Sequence, residues 1–206
     1  MRYFILAFGM FLCTNVYAIS LTAQGGWEHT SNSNYGDGGT ATARIEQSVL
    51  GDLSLGAEYN YHGQMDHGNG NDAEPIDYGD VSGHSVLADL LYRPSQLVFG
   101  RLHPYVVGGL GWSWWDFTPS DQTNSLGIEA KLGDAFCYKA GAGVDYEINE
   151  RWSLNVEWSF FKAKIPVDAF NPDGSRSILL GDDAGSGRVR LGEEETRVVG
   201  GIRYNF

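Results

Sequence analysis

Among its polar residues, the sequence contains a serine and two histidines, which are residue types that hydrolases use for catalysis. Ser85 follows His84, and His62 lies earlier in the chain with Glu58 four residues before it. A serine nucleophile needs a base within hydrogen-bond reach, and that base needs a third group to orient it. His84 is not a suitable base, because neighbouring residues of a strand point to opposite faces. One hypothesis is therefore a Ser85–His62 pair oriented by Glu58, and the alternative is ordinary polar residues. We favour the alternative and predict no catalytic residue.

A second cluster is acidic and contains residue types that bind cations. Asp66–Asp72, together with Asp77 and Asp80, would offer carboxylate and carbonyl oxygens to a hard ion such as calcium. The spacing is not that of an EF-hand, so a solvated loop is the better interpretation. Cys137 is either a reactive thiol or a small apolar filler, and we favour the filler. We therefore predict neither a metal site nor a cofactor.

Eight segments with alternating apolar and polar residues would position these groups, and the period of two indicates β-strands. Each is near the roughly 9–11 residues with which a tilted strand crosses a bilayer. The predicted strands are Ser20–Thr30, Thr40–Leu50, Leu53–Met65, His84–Arg93, Pro104–Phe117, Phe136–Ile148, Trp152–Lys164 and Glu195–Phe206.

The predicted connections alternate in length. Those after the second, fourth and sixth strands are shorter: Gly51–Asp52, Pro94–His103 and Asn149–Arg151. The others are mostly longer and polar: Ser31–Gly39, Asp66–Gly83, Thr118–Ala135 and Ile165–Glu194. Short turns at one end and long loops at the other are typical of membrane barrels, with both chain termini on the short-turn side.

The aromatic residues indicate that the apolar faces point outward. They gather at two levels with smaller residues between them, as in the interfacial girdles of membrane barrels. A soluble barrel would instead place its apolar face inside. The predicted girdle residues are Trp27, Trp112, Trp114, Trp152, Trp158, Tyr204 and Phe206.

The opposite faces carry charges of both signs. A lone buried charge is costly, so these side chains should pair inside the barrel. An interior enclosed by about eight strands is filled by side chains, which predicts a plugged or very narrow lumen. The predicted lumen network comprises Glu28, Arg44, Glu46, Glu58, Asp89, Arg93, Lys139, Asp145, Glu147, Glu157, Arg197 and Arg203.

The start of the chain indicates export. Met1–Arg2 is basic, Phe4–Val16 is mostly apolar, and Val16–Ala18 presents small residues where a signal peptidase cleaves. We therefore predict a signal peptide over residues 1–18 and a barrel domain over residues 19–206. The formal net charge of −12 argues against a nucleic-acid partner, because phosphates attract basic proteins.

Several motifs resemble those of small outer-membrane β-barrels. They are the proline–aromatic–glycine segment Pro104–Trp112, the hairpin segments Ala140–Tyr146 and Asn149–Trp158, and the final Tyr204–Phe206. Together they are similar to the eight-stranded group that includes OmpA-type, opacity-type and OmpW-like proteins. The resemblance implies an all-β, antiparallel, up-and-down transmembrane barrel in the outer membrane. It also implies the functions found in that group, which are adhesion, surface display, membrane stabilisation and passage of small apolar molecules.

The predicted role is structural or interactive: a rigid barrel that displays four extracellular loops. Loops carry most contacts with partners, and here we expect contacts through Tyr35, Tyr78, Phe170 and Arg176. Expected partners are outer-membrane lipid, lipopolysaccharide, and host or envelope proteins. Arg176, Arg188 and Arg190 would contact lipopolysaccharide phosphates directly.

Two alternative functions remain open at this point. The first is a narrow channel or lateral path for small hydrophobic solutes, for which the inward Leu87, Leu91 and Val107 are the hint. The second is a lipid-modifying enzyme that uses His62 and Ser85.

Overall fold

The computed structural model describes residues 19–30, 37–68, 77–121, 125, 129–170 and 189–206. Tyr35, Arg176, Arg188 and the predicted signal peptide therefore lie outside the described residues. No helix in this part of the chain is long and apolar enough to cross a membrane.

Antiparallel strands close into a barrel, as the sequence predicted. Apart from the short β6, each strand pairs with the strands before and after it, and the first pairs with the last. The short β6 pairs with β8, as β7 does, so β6 and β7 share one of eight strand positions. The strands are β1 (Ile19–Thr30), β2 (Gly38–Leu50), β3 (Leu53–Gly68), β4 (Asp77–Tyr92), β5 (Leu102–Pro119), β6 (Glu129–Leu132), β7 (Ala135–Glu147), β8 (Trp152–Phe170) and β9 (Val189–Asn205).

Several strands extend further than predicted at the end where the longer connections lie, which we call the loop end. The opposite end, with the connections at 51–52, 93–101 and 148–151, is the turn end. Asp66 pairs with Asp80, so much of the predicted acidic loop is a β3–β4 ladder. Likewise β8 continues to Phe170 and β9 begins at Val189. The prediction was wrong here because Gly and Asp favour turns, whereas backbone pairing satisfies the amide groups of a strand whatever its side chains.

The strands carry a polar inner face and an apolar outer face. In β1, Thr22 and Glu28 are buried, whereas Leu21 is 47% exposed and Trp27 is 57% exposed. This pattern recurs around the barrel, and it leaves a continuous belt of exposed Leu, Val, Ile and aromatic side chains. A soluble monomer rarely exposes an apolar surface of this extent, so the outer face belongs in lipid.

Two inward aromatic rings lie over glycines of a neighbouring strand. Tyr105 on β5 pairs with Gly143 on β7, and Trp115 on β5 pairs with Gly83 on β4. A Cβ atom at either glycine would lie 2.5 Å from the ring that covers it. The glycines thus make the room that lets these rings fill the interior.

Candidate functional site

The middle of the barrel interior is a buried cluster of two cations and three carboxylates. Arg44 on β2 lies 2.7 Å from Glu157 on β8 and 3.5 Å from Glu58 on β3. The Lys139 ammonium on β7 lies 2.5 Å from Glu58, 3.3 Å from Asp89 and 3.4 Å from Glu157. Alternation places each side chain inside, and barrel closure brings strands that are distant in sequence within reach.

The turn end of the interior is a second charged cluster, in which two guanidinium groups alternate with two carboxylates. Arg203 lies 2.5 Å from Glu46 and 2.8 Å from Asp145. Arg93 lies 3.0 Å from the same Glu46 oxygen and 3.2 Å from Asp145. Ser20 also donates a hydrogen bond of 2.7 Å to Glu46. This cluster closes the interior on the turn side.

The loop end of the interior contains the serine and histidine noted in the sequence. His62 Nε2 lies 3.1 Å from Ser85 Oγ, and His62 Nδ1 lies 3.0 Å from Glu28 and 3.3 Å from Glu195. Glu58 is the orienting group in the hypothesis drawn from the sequence. In the structure that group is Glu28 from β1. Glu58 contacts Lys139 and Arg44 instead, since it lies two inward-facing positions closer to the turn end than His62 on β3.

The Ser85–His62–Glu28 arrangement has the hydrogen bonds of a hydrolytic relay but lacks two other requirements. All three side chains are buried, so within the described part of the chain the hydroxyl is not exposed to a lipid or peptide bond. Ser85 also lies within a continuous ladder between Asn60 and Ser113, where neighbouring strands engage the amides that would otherwise stabilise an oxyanion. The arrangement therefore serves packing better than hydrolysis.

Beside His62, the loop-end interior also contains a cluster of apolar side chains. The His62 ring lies 4.9 Å from the Trp115 and Phe161 rings, measured between centroids. Cys137 is buried in this cluster, as suits a small filler. The cluster comprises Val81, Leu87, Trp115, Ala135, Cys137, Phe161, Ala163 and Ile165.

The three inward apolar residues suggested as a solute path are not contiguous. Leu87 belongs to the loop-end cluster, whereas Leu91 and Val107 form a separate cluster with Tyr105. Asp89 and its charged partners lie between the two along β4. An apolar solute that entered at Leu87 would meet buried charge before it reached Leu91.

The predicted girdle residues lie on the outer face at two levels. Trp27, Trp112, Trp114 and Trp158 are exposed towards the loop end. At the turn end, the Tyr204 ring lies 4.7 Å from the Trp152 ring and 4.8 Å from the Phe206 ring. These positions suit amphipathic rings at the two membrane interfaces.

The remaining predicted residues are more scattered. Tyr78 lies in β4 and Phe170 ends β8, so neither is in a loop as we had expected. Arg190 lies in β9. Glu147, predicted in the lumen, is partly exposed at the turn end, 3.1 Å from His103, because β7 ends there.

Sequence reasoning missed the buried Glu195. The signal was available, because Glu195 shares the parity of Arg197 on the last predicted strand. The inward aromatic residues Tyr105 and Trp115 follow from the same parity rule. What parity does not reveal is that Glu195 meets Glu28 and His62, since that depends on the pairing of β9 with β1.

The fold and its outer surface define the class: a closed eight-stranded barrel that spans a membrane. Residues 5–183 match the family described as the outer membrane protein beta-barrel domain. The chain therefore belongs to this family, and the protein is an outer-membrane β-barrel.

Solved structures of similar fold support this assignment. The chain is 14% identical to the outer membrane protein OprG from Pseudomonas aeruginosa, with 92% of this chain and 96% of that chain covered and a TM-score of 0.64. A major outer membrane protein from Thermus thermophilus is 14% identical, with 92% of this chain and 99% of that chain covered and a TM-score of 0.61. Neisserial surface protein A is 12% identical, with 92% of this chain and 97% of that chain covered and a TM-score of 0.58. No curated protein sequence matches the chain. At these identities, the likeness concerns the fold alone.

Proposed function

We propose that the protein is a closed membrane scaffold that displays its loop-end segments and does not conduct solutes. The observation that carries this proposal is the filling of the interior in successive layers. A charged cluster closes the turn end, a second occupies the middle, and aromatic and aliphatic side chains fill the loop end together with His62, Glu28 and Glu195.

The bonds within these layers run across the barrel and not only between neighbouring strands. Arg44 on β2 reaches Glu157 on β8, and Lys139 on β7 reaches Glu58 on β3. Gln24 on β1 donates a hydrogen bond to Asn155 on β8. A continuous column of water would have to break these contacts, and a buried charge that loses its partner is costly. This supports a barrel that stays closed at rest.

Interaction then falls to the connections at the loop end, the longest of which spans residues 171–188. Loops on a rigid scaffold are the usual place for binding residues. Our proposal retains Tyr35 and Arg176, and also Tyr78 and Phe170 in the strand ends next to these connections, as contact residues for lipopolysaccharide or for host and envelope proteins. It also retains residues 1–18 as an export signal, which mass spectrometry of the mature chain would test.

Single-channel recording tests the closed barrel. The refolded protein in a planar bilayer should be silent at moderate voltage. The double variant Arg44→Ala and Tyr105→Ala removes two large side chains from the interior and serves as the positive control, since it should show current. Steady, reproducible channels from the wild type would refute the proposal.

Binding to lipopolysaccharide tests the display function. Arg176→Gln should weaken binding to lipopolysaccharide micelles because it removes a charge-assisted contact with phosphate. Arg101→Gln is the matched control, because Arg101 is exposed at the turn end. Equal binding by both variants would contradict a role for Arg176.

A lateral path for apolar solutes is the second candidate, because an apolar cluster that includes Leu87 lies at the loop end. Leu87→Asp should abolish uptake of an apolar solute by cells, whereas Leu91→Asp should leave it intact, since Leu91 lies beyond the charged layer. Unchanged uptake in the Leu87 variant would exclude this path.

For the lipid-modifying alternative, unaltered lipid A in cells that overproduce the protein would count against an enzyme.

A further inference from the structure

We propose that Glu28, His62 and Glu195 bind a divalent transition-metal ion, of which Zn²⁺ is the representative, at the loop end of the barrel interior. One ligand atom from each residue lies within 4.8 Å of the other two. His62 Nδ1 is 3.0 Å from Glu28 Oε2 and 3.3 Å from Glu195 Oε2. A tetrahedral ion with bonds of about 2.0–2.2 Å separates its ligand atoms by roughly 3.3–3.6 Å. The two separations from His62 are therefore already near the required spacing, and the two carboxylate oxygens lie within 4.8 Å of each other.

Unsatisfied carboxylate oxygens supply a second, independent indication. Glu195 is fully buried; its Oε2 lies 3.3 Å from His62 Nδ1, and its Oε1 lacks a hydrogen-bond donor within the described part of the chain. Glu28 Oε1 also lacks a hydrogen-bond donor within the described residues. Buried carboxylate oxygens are costly when nothing stabilises them. A metal ion between the two carboxylates would satisfy them.

The charge of the interior points the same way. Among the described residues, seven carboxylates are buried, whereas five Arg and Lys side chains face them. Near Glu28 and Glu195 the closest of these cations is Arg197, whose Nε is 3.9 Å from Glu28. A divalent ion would supply the two positive charges that are missing, at the place where the carboxylates have the fewest partners.

The ligand types select the class of ion. An imidazole nitrogen with two carboxylates suits Zn²⁺ and its transition-metal neighbours, whereas Ca²⁺ and Mg²⁺ prefer oxygen ligands alone. Ser85 Oγ, 3.1 Å from His62 Nε2, fixes the imidazole orientation from behind, as outer groups do in metal sites. Trp115 and Phe161 flank the ring.

The position of the three ligands implies a structural consequence. Glu28 lies on β1 and Glu195 on β9, the two strands whose pairing closes the barrel, and His62 lies on β3. An ion held by all three would clamp the closing seam at the loop end. Because the site is buried, we expect it to load during folding and to exchange slowly afterwards.

Metal content of the folded wild-type protein is the primary test. The chain, stripped of metal in urea, is refolded into detergent micelles with Zn²⁺ and then separated from free ions by gel filtration. Elemental analysis should find about one Zn²⁺ per chain, and an excess of Ca²⁺ or Mg²⁺ should not compete. Refolding with Co²⁺ should give the visible absorption of a low-symmetry site. Folded wild-type protein without bound metal would overturn the proposal and leave His62 as an imidazolium partner of the two carboxylates.

Ligand variants locate the ion. Glu195→Gln and His62→Gln should weaken Zn²⁺ binding at least tenfold. Roughly this factor is lost when only a group that hydrogen-bonds to a metal ligand is changed, and these variants change the ligands themselves. Glu46→Gln, at the turn end, is the matched control and should retain the ion. Gel mobility of unheated samples shows which variants fold. Equal metal in all three variants would place the ion elsewhere and refute the assignment. If a ligand variant fails to fold, the wild-type stoichiometry and the Co²⁺ spectrum still decide.

Discussion

Lys139 is the cation on which the middle of the barrel interior depends most, and its removal gives a sharp prediction. Its ammonium group lies within 3.4 Å of the carboxylates of Glu58, Asp89 and Glu157. Lys139→Met keeps most of the side-chain volume and removes the charge. Arg44 would then be the one cation left in contact with three buried carboxylates in this cluster.

The size of the effect follows from the burial of the group. Removal of one partner from a buried ion pair costs about 3–5 kcal/mol, because the other charge is left uncompensated. That corresponds to a folding equilibrium constant lower by at least about 10²-fold. The partly exposed His103–Glu147 pair should behave differently, and Glu147→Gln should cost about 0–1 kcal/mol.

Urea unfolding of the refolded protein in phospholipid vesicles, followed by the fluorescence of its six tryptophans, measures both free energies. The double variant Lys139→Met, Glu58→Gln should recover part of the loss, because it also removes a carboxylate that the first change leaves unpaired. Equal unfolding free energies for Lys139→Met and Glu147→Gln would refute the reasoning. So would a double variant whose loss is the simple sum of the two single losses.

Three further predictions concern other parts of the barrel. Val156→Arg, on the outer face of β8 between the girdle residues Trp152 and Trp158, should cost about 2–4 kcal/mol in vesicles, because it places a charge near the bilayer midplane. Gly143→Val should cost about 1–3 kcal/mol and shift the Tyr105 ring, since the new side chain would collide with it. The pKa of the exposed Asp37 is lowered by hydrogen bonds from His29 and then from Trp27, so the carboxyl carbon should titrate below the ordinary aspartate range by NMR. The stability that this interaction adds is present above the ordinary aspartate pKa and is lost as the pH falls through the lowered value.

Matched changes check each of these. Val156→Leu should leave the unfolding free energy almost unchanged. Gly108→Ala should do the same, because a Cβ at Gly108 meets its nearest atom at 3.9 Å. His29→Gln should return the Asp37 titration towards its usual range. A Val156→Arg variant as stable as the wild type would argue that this face does not contact lipid.

The fold was largely predictable from the sequence because its main signal is local. Strict alternation in segments such as Val198–Phe206 assigns both the strand and its faces without knowledge of any neighbour. The lengths of the connections then order the strands as a meander. The strand ends at the loop end were not predictable, because β3 and β4 continue through polar residues that carry no such pattern.

The composition of the interior was also predictable from the sequence, since the alternation of residues along each strand places Glu28, His62 and Lys139 on inner faces. Their partners were not, because each partner depends on the registers of several strand pairs and on barrel closure. A shift of one residue in a single pair would turn a strand's inward side chains outward. The meeting of Glu28 with Glu195 needs β1 to pair with β9, strands at opposite ends of the chain. Tertiary structure alone therefore decided that His62 lies against Glu28 and Glu195, and that Glu58 lies against Lys139.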